Sequence, residues 1–142
     1  MPAESTEEPL PASDADRLRR AYEVWNESGA AAVIEGYYAE DAVYREGPEW
    51  PDAGVFQGRD AILARMKSLV ELAGPLEVRL DRLVDAGEGR YIAFTQLVGG
   101  APGTEGPYTQ SFCVVHRMRD GMIAEADYYL DPADALRAVG LE

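Results

Sequence analysis

The hydrophobic repeat of this chain changes once, at Gly74-Pro75, and this change limits the possible folds more than any other feature. Before it, apolar residues recur at helical spacing in three segments: about 14–28, 30–39 and 59–73. After it, apolar and polar residues alternate, which predicts four strands: about 76–85, 90–98, 108–119 and 122–130. Helices grouped ahead of a run of antiparallel strands predict an α+β fold rather than an alternating α/β fold.

Shorter elements complete the pattern. A strand is predicted over 42–46, and the two prolines of segment 47–52 predict a loop after it. Asp120-Gly121 predicts the tight turn between the last two strands, and a short helix is expected over 133–139. Such a sheet can curl around the helices and leave a blind pocket. Its lining would come from the first helix, the first strand and the last two strands.

The length of 142 residues predicts a single domain with its own core. Residues 1–13 differ from the rest because they contain three prolines, several acidic residues, no basic residue and, after Met1, one large apolar side chain, Leu10. A segment of this composition cannot bury enough apolar surface to offset its ordering entropy. We therefore expect a disordered acidic tail over 1–13 and a folded domain over 14–142.

The net charge, the apolar runs and the cysteine content limit the possible partners and the cellular compartment. Thirteen basic and 26 acidic residues give a net charge of −13, which disfavours nucleic acid and anionic membrane surfaces as partners. The longest apolar run, Ala30 to Ile34, is too short to span a membrane, and no secretory signal follows Met1. Cys113 is the single cysteine, and no Cys/His cluster indicates a metal site. We expect a cytoplasmic protein without metal or cofactor.

Three stretches carry a resemblance to a known superfamily: residues 37–44, residues 56–62, and residues 119–123 together with 129–131. Their order and spacing resemble the nuclear transport factor 2-like superfamily, in particular its SnoaL-like and ketosteroid-isomerase-like members, over about residues 14–142. The resemblance implies a cone-shaped, curved antiparallel sheet wrapped around three N-terminal helices, with a short C-terminal helix. Membership of this fold does not by itself supply a reaction.

The resemblance also implies candidate catalytic residues. In ketosteroid isomerases a carboxylate moves a proton beside a carbonyl group, and the matching position here is Glu46, five residues after Asp41. The first oxyanion donor of that family matches Tyr22 or, if Ser28 is an inserted residue, Ala21. The second donor position matches Val114, which cannot donate a hydrogen bond.

Two other reactions of the superfamily fit less well. Epoxide hydrolases of this kind use an Arg-x-Asp pair on the middle strand, whereas segment 91–97 holds no acidic residue. SnoaL-like cyclases place an aspartate on the last strand, where this chain has Tyr128. Epoxide hydrolysis is therefore disfavoured, and a cyclase reaction would need another base. Tyr128 remains a candidate oxyanion donor.

Other residues are candidates for binding a ligand. We take as candidates the side chains expected to face the pocket or its mouth: Trp25, Tyr44, Trp50, Val114, His116 and Ala126. His116 is the only histidine and could polarise a ligand, while Trp50, between Pro48 and Pro51, is placed to form a flap. Each has a structural alternative, since aromatic residues and a satisfied histidine also occur in ordinary cores. Glu46 could equally be a carboxylate at a loop edge.

Two functions therefore stay open. The first is a cofactor-free isomerase or cyclase acting on an apolar carbonyl compound, with Glu46 as the base and Tyr22 or Tyr128 as the oxyanion donor. The second is a non-catalytic module that binds a small hydrophobic molecule or mainly dimerises. A homodimer is expected through the outer face of the sheet, which carries four apolar residues: Cys113, Val115, Ile123 and Tyr129.

Overall fold

A computed structural model describes residues 13–50, 53–73, 76–99 and 108–141. Within these ranges the chain forms four helices: α1 (Asp14–Ser28), α2 (Ala30–Tyr37), α3 (Arg59–Ala73) and α4 (Pro132–Ala138). It also forms six strands: β1 (Tyr38–Glu46), β2 (Val55–Gln57), β3 (Leu76–Gly87), β4 (Arg90–Gly99), β5 (Tyr108–Arg119) and β6 (Met122–Tyr129). Most of the expected acidic tail, residues 1–12, lies outside the described residues.

Local chemistry explains where the helices begin and end. The Ser13 side chain caps α1 by accepting a hydrogen bond from the backbone N–H of Asp16 at 3.1 Å. Gly29, at φ 92°, separates α1 from α2 in a conformation that other residues rarely adopt. Asp131 caps α4, and Pro132 occupies the first turn of that helix, where its missing N–H costs nothing.

The six strands form one curved, open sheet in the order β2-β1-β6-β5-β4-β3. The expected α+β cone is confirmed, with one refinement to the sheet. Neighbouring strands are antiparallel except β1 and β6, which run parallel, so the sheet is mixed. The first strand also starts at Tyr38 rather than Ala42, and α2 ends two residues earlier than expected.

The two faces of the sheet pack against different helices. One face packs against α1, α2 and α3 around a core that includes Leu18, Ile34 and Ile62. The opposite face carries Cys113, which packs with other buried residues under α4. The short helix α4 thus covers only part of the opposite face, and the site described below lies on the side of α1–α3.

The C-terminal part of the same chain covers much of the apolar surface that was expected to form a dimer. Cys113 and Val115 are buried beneath Ala135 of α4 and Val139, the residue that follows this helix. Ile123 belongs to the other face because the β5–β6 ladder changes register between Arg117 and Met118, and such a bulge reverses the side to which the following residues point. The argument for a homodimer through these residues is therefore wrong, and the homodimer stays a prediction without an identified surface.

Two further structural findings bear on function. No helix within the described ranges is long and apolar enough to cross a membrane. The same part of the chain contains no group of histidine, cysteine, aspartate and glutamate residues that could hold a metal ion.

Candidate functional site

A cavity of about 530 Å³ lies between the helices and the sheet. Its wall combines residues of α1, α2 and α3 with residues of β1, β3, β4, β5 and β6. The volume falls within the range of about 300–1,000 Å³ that is usual for small-molecule sites. Most of the wall is aliphatic or aromatic, with a few polar groups placed among the apolar ones.

The structure places six of the candidate residues in this wall: Tyr22, Trp25, Tyr44, Trp50, His116 and Tyr128. Val114 and Ala126 are also on this side of the sheet, but both are completely buried in the core and lie outside the described lining. They support the wall instead of contacting a molecule in the cavity. Ala21, the alternative to Tyr22, lines the cavity as well, but its methyl group offers no donor.

Glu46 is placed differently from the expectation for a free general base. Its side chain is 1% exposed, and the guanidinium group of Arg65 donates to both carboxylate oxygens, at 2.8 and 2.9 Å. The Tyr44 hydroxyl donates to Oε2 at 3.1 Å, and the Gly54 N–H donates to Oε1 at 3.2 Å. The described lining of the cavity does not include Glu46. A carboxylate held by these four donors is anchored rather than presented to a substrate.

Arg65 was missed by the sequence analysis. It lies on α3 among apolar residues, three positions after Ile62, and it lines the cavity while pairing with Glu46. A charged residue next to the apolar stripe of a helix was the available signal. Its partner, nineteen residues away, could not be identified from periodicity.

Tyr22 and His116 form a hydrogen-bonded pair in the wall. The Tyr22 hydroxyl lies 2.8 Å from Nε2 of His116, although the two residues are 94 positions apart in the chain. Burial raises the pKa of Tyr22 well above its ordinary value and lowers the pKa of His116 to about 3. Both side chains are therefore uncharged near neutral pH. The His116 Nδ1 atom has no hydrogen-bond partner among the described residues.

A second pair joins Tyr38 and Tyr128. Burial raises the pKa of Tyr38 to about 12. Burial also raises the pKa of Tyr128 well above its ordinary value, and the hydrogen bond with Tyr38 adds to this effect. Burial, and next the Glu46 carboxylate, raise the pKa of Tyr44. Tyr38 was missed because the apolar pattern of α2 appeared to continue through it. Tyr38 is instead the first residue of β1.

Aromatic rings form one wall near the loop after β1. The Phe112 and Tyr128 rings are stacked with centroids 5.9 Å apart, and the Trp50 ring meets both edge-on at 5.9 and 6.0 Å. The loop itself is tied to β6 because the Gly47 N–H donates to the Tyr128 carbonyl at 2.9 Å. Trp50 is thus packed against the wall, and its Nε1–H has no partner among the described residues.

A second concavity lies outside the cavity, between α1 and β3. It has a volume of about 620 Å³, and charged side chains such as Arg19, Glu23, Arg79 and Asp81 line it. It is the more open of the two and carries no buried polar group without a partner among its described residues. The interior cavity is the better candidate site because its walls are apolar and its polar groups converge from several elements.

The comparisons with known proteins agree with this architecture. The family model of the SnoaL-like domain matches residues 18–126. The chain therefore belongs to the SnoaL-like family, which confirms the superfamily resemblance. A comparison with curated proteins found no match.

Solved structures share the fold at low sequence identity. Bal32a, from a soil-derived mobile gene cassette, is 21% identical with a TM-score of 0.70, over 82% of this chain and 87% of that chain. A protein of ketosteroid-isomerase-like fold from Catenulispora acidiphila, in complex with trimethylamine, is 15% identical with a TM-score of 0.69, over 89% and 94%. TerC, co-crystallised with polyporic acid, is 14% identical with a TM-score of 0.70, over 89% and 97%.

Proposed function

We propose that this protein binds a small, uncharged and largely apolar molecule in the interior cavity. The observation that carries the proposal is the cavity of about 530 Å³, whose wall is mostly apolar and whose buried tyrosine and histidine side chains are neutral. Tyr22, Tyr38 and Tyr128 hold their protons because burial raises the pKa of each, and His116 is neutral because burial lowers its pKa. TerC and the Catenulispora acidiphila protein, which share the fold, were crystallised with small molecules.

The charges near the cavity support an uncharged ligand. Arg65 lines the wall, but Glu46 neutralises it through a two-point ion pair. Glu49 is at the edge of the cavity, where one of its carboxylate oxygens accepts a hydrogen bond from the Leu130 N–H at 3.3 Å. An anionic ligand would lose its hydration without gaining an unpaired cation, because Arg65 is already paired with Glu46, and that cost favours neutral over anionic molecules.

A matched pair of probes and a matched pair of variants test the proposal. The probes are 2-acetylnaphthalene, which is neutral, and 2-naphthoate, which is similar in size and anionic. Leu69→Trp adds an indole to the cavity wall, whereas Ala64→Trp adds the same group at an exposed position of α3. We expect the neutral probe to raise the melting temperature of the wild type and of Ala64→Trp, but not of Leu69→Trp.

Two results would contradict the proposed binding site. A melting temperature that rises as much with 2-naphthoate would contradict a site for neutral molecules. An unchanged shift in Leu69→Trp would show that the probe binds outside the cavity.

A cofactor-free isomerase or cyclase acting on an apolar carbonyl compound is the second candidate function. Membership of the SnoaL-like family favours it, as does a carboxylate, Glu46, one hydrogen bond away from Tyr44 in the cavity wall. Catalysis by Glu46 would require Arg65 to release the carboxylate during the reaction. The test compares wild type and Glu46→Gln on a β,γ-unsaturated ketone, where a base contributes roughly 10²–10⁴ in rate. Equal rates would remove Glu46 as the base.

A further inference from the structure

The starting point is a buried histidine with one unsatisfied nitrogen. His116 is 2% exposed, lies on β5 and lines the cavity. Its Nε2 atom lies 2.8 Å from the Tyr22 hydroxyl, and its Nδ1 atom has no partner among the described residues. Because the ring is neutral near pH 7, only one of the two nitrogens carries a proton.

Counting unsatisfied groups decides which nitrogen carries that proton. If Nε2–H donated to Tyr22, both the hydroxyl hydrogen of Tyr22 and the lone pair of Nδ1 would lack a described partner. If Tyr22 donates to Nε2, only the Nδ1–H group is left over. Each buried polar group without a partner is costly, so the second arrangement is favoured. His116 therefore carries its proton on Nδ1, which leaves a buried donor without a described partner on a side chain that lines the cavity.

We infer that the Nδ1–H group of His116 is the donor that recognises a carbonyl oxygen of the bound molecule, and that Tyr22 is a positioning residue that sets the tautomer of His116. This inference rests on the proposed binding function and names the ligand's polar group. It also changes the role expected for Tyr22. The resemblance matched the Tyr22 hydroxyl to a direct oxyanion donor. In the structure this hydroxyl is hydrogen-bonded to His116, so His116 and not Tyr22 would donate to the ligand.

A second residue that lines the cavity also has a buried hydrogen-bond donor without a described partner. The indole Nε1–H of Trp50 can only donate, and it too has no partner among the described residues. Trp50 packs on Phe112, which lies four residues before His116 on the same strand. Because the leftover groups at both places are donors, a ligand that supplies acceptor oxygens satisfies them, and a ligand that offers only donors does not.

The test uses two probes that differ only in the acceptor. 2-Acetylnaphthalene carries a carbonyl group, and 2-isopropenylnaphthalene has the same shape with a methylene group in place of the oxygen. Calorimetric titration of the wild type is expected to show the ketone binding about tenfold more tightly. His116→Leu should bind the two probes equally. His116→Asn, which places an amide N–H near the position of Nδ1, should retain part of the preference.

The tautomer supplies a readout that can be measured on the wild-type protein itself. Nitrogen NMR of the wild-type imidazole should show a protonated Nδ1 and an unprotonated Nε2, and Tyr22→Phe should shift this distribution. Addition of the ketone should move the Nδ1–H resonance, whereas the alkene should not. A wild-type ring protonated on Nε2, or equal affinities for the two probes, would overturn the inference alone. Failure of both probes to bind would overturn the proposed function together with it.

Discussion

The Glu46–Arg65 pair is the strongest electrostatic feature of the site at the scale of single residues. The Glu46 side chain is 1% exposed and that of Arg65 is 14% exposed, so removing one partner leaves the other charge poorly hydrated. We expect Arg65→Met to lower the free energy of unfolding by about 3–5 kcal/mol. The double variant Arg65→Met/Glu46→Gln should be more stable than Arg65→Met alone, because no buried charge is then left unpaired. Urea denaturation measures both effects.

Together with Glu46→Gln alone, these variants form a double-mutant cycle that tests whether the two residues interact. Two independent residues would give additive losses of stability. Additive losses at Glu46 and Arg65 would therefore show that the ion pair contributes nothing to the fold.

His116 makes stability depend on pH in a predictable direction. Its pKa is about 3 in the folded chain and near 6.5 when unfolded, so the unfolded state binds a proton first as the pH falls. The stabilisation is complete above pH 6.5 and is lost progressively between pH 6.5 and about 3. Between pH 8 and 5.5, the wild type should lose about 1 kcal/mol more stability than His116→Asn. His116 is the only histidine, so a flat difference between the two profiles would contradict its burial in the neutral form.

At the scale of secondary-structure elements, the side chain of Asn26 attaches α1 to β3. β3 is at the edge of the sheet, and the Asn26 side chain acts there like a short piece of strand. Its amide donates to the Val78 carbonyl at 2.8 Å, and its oxygen accepts from the Val78 N–H at 2.9 Å. Asn26→Ala would leave two half-buried backbone groups without these partners, so we expect a loss of about 1–3 kcal/mol.

Asn26→Asp provides the matched variant for this attachment. It keeps the acceptor for the Val78 N–H but sets a carboxylate oxygen against the Val78 carbonyl oxygen, so its stability in urea near pH 7 should fall well below that of the wild type. Equal stability of all three proteins would show that water replaces the side chain at this edge.

At the scale of the whole molecule, the sequence predicts an acidic segment that adds charge without adding stability. Deleting residues 1–12 should leave the melting temperature nearly unchanged, because their composition offers little apolar surface to bury. Ser13→Ala in the full chain should instead cost about 1 kcal/mol, since it removes the cap of α1. Thermal unfolding followed by circular dichroism distinguishes the two. A drop of many degrees on deletion would show that the segment packs against the domain.

The oligomeric state belongs to the same scale and stays a prediction. α4 covers Cys113 and Val115, so a homodimer would have to use another part of the surface. Sedimentation velocity at micromolar concentration would measure the state directly, and a monomer would remove the homodimer prediction.

The order of the elements and the composition of the wall could be predicted because they depend on neighbours in the chain. The change of period at Gly74-Pro75 separates the three long helical segments from the last four strands, and alternation along β1 places Glu46 on the same side as Ala42 and Tyr44. The aromatic candidate Trp25 followed from the periodicity of its helix, whereas Tyr128 followed from the family resemblance. Each of these features is set within one helix or strand, where backbone geometry fixes the direction of every side chain.

Only the tertiary structure decided which side chains meet. Arg65 is nineteen residues from Glu46, and Tyr22 is 94 residues from His116, so neither partnership leaves a periodic signal. The parallel pairing of β1 with β6 and the bulge that turns Ile123 to the other face likewise depend on how distant strands align. Periodicity gives the direction of a side chain, but whether it meets a charge, a hydroxyl or an empty space depends on the packing of elements far apart in the chain.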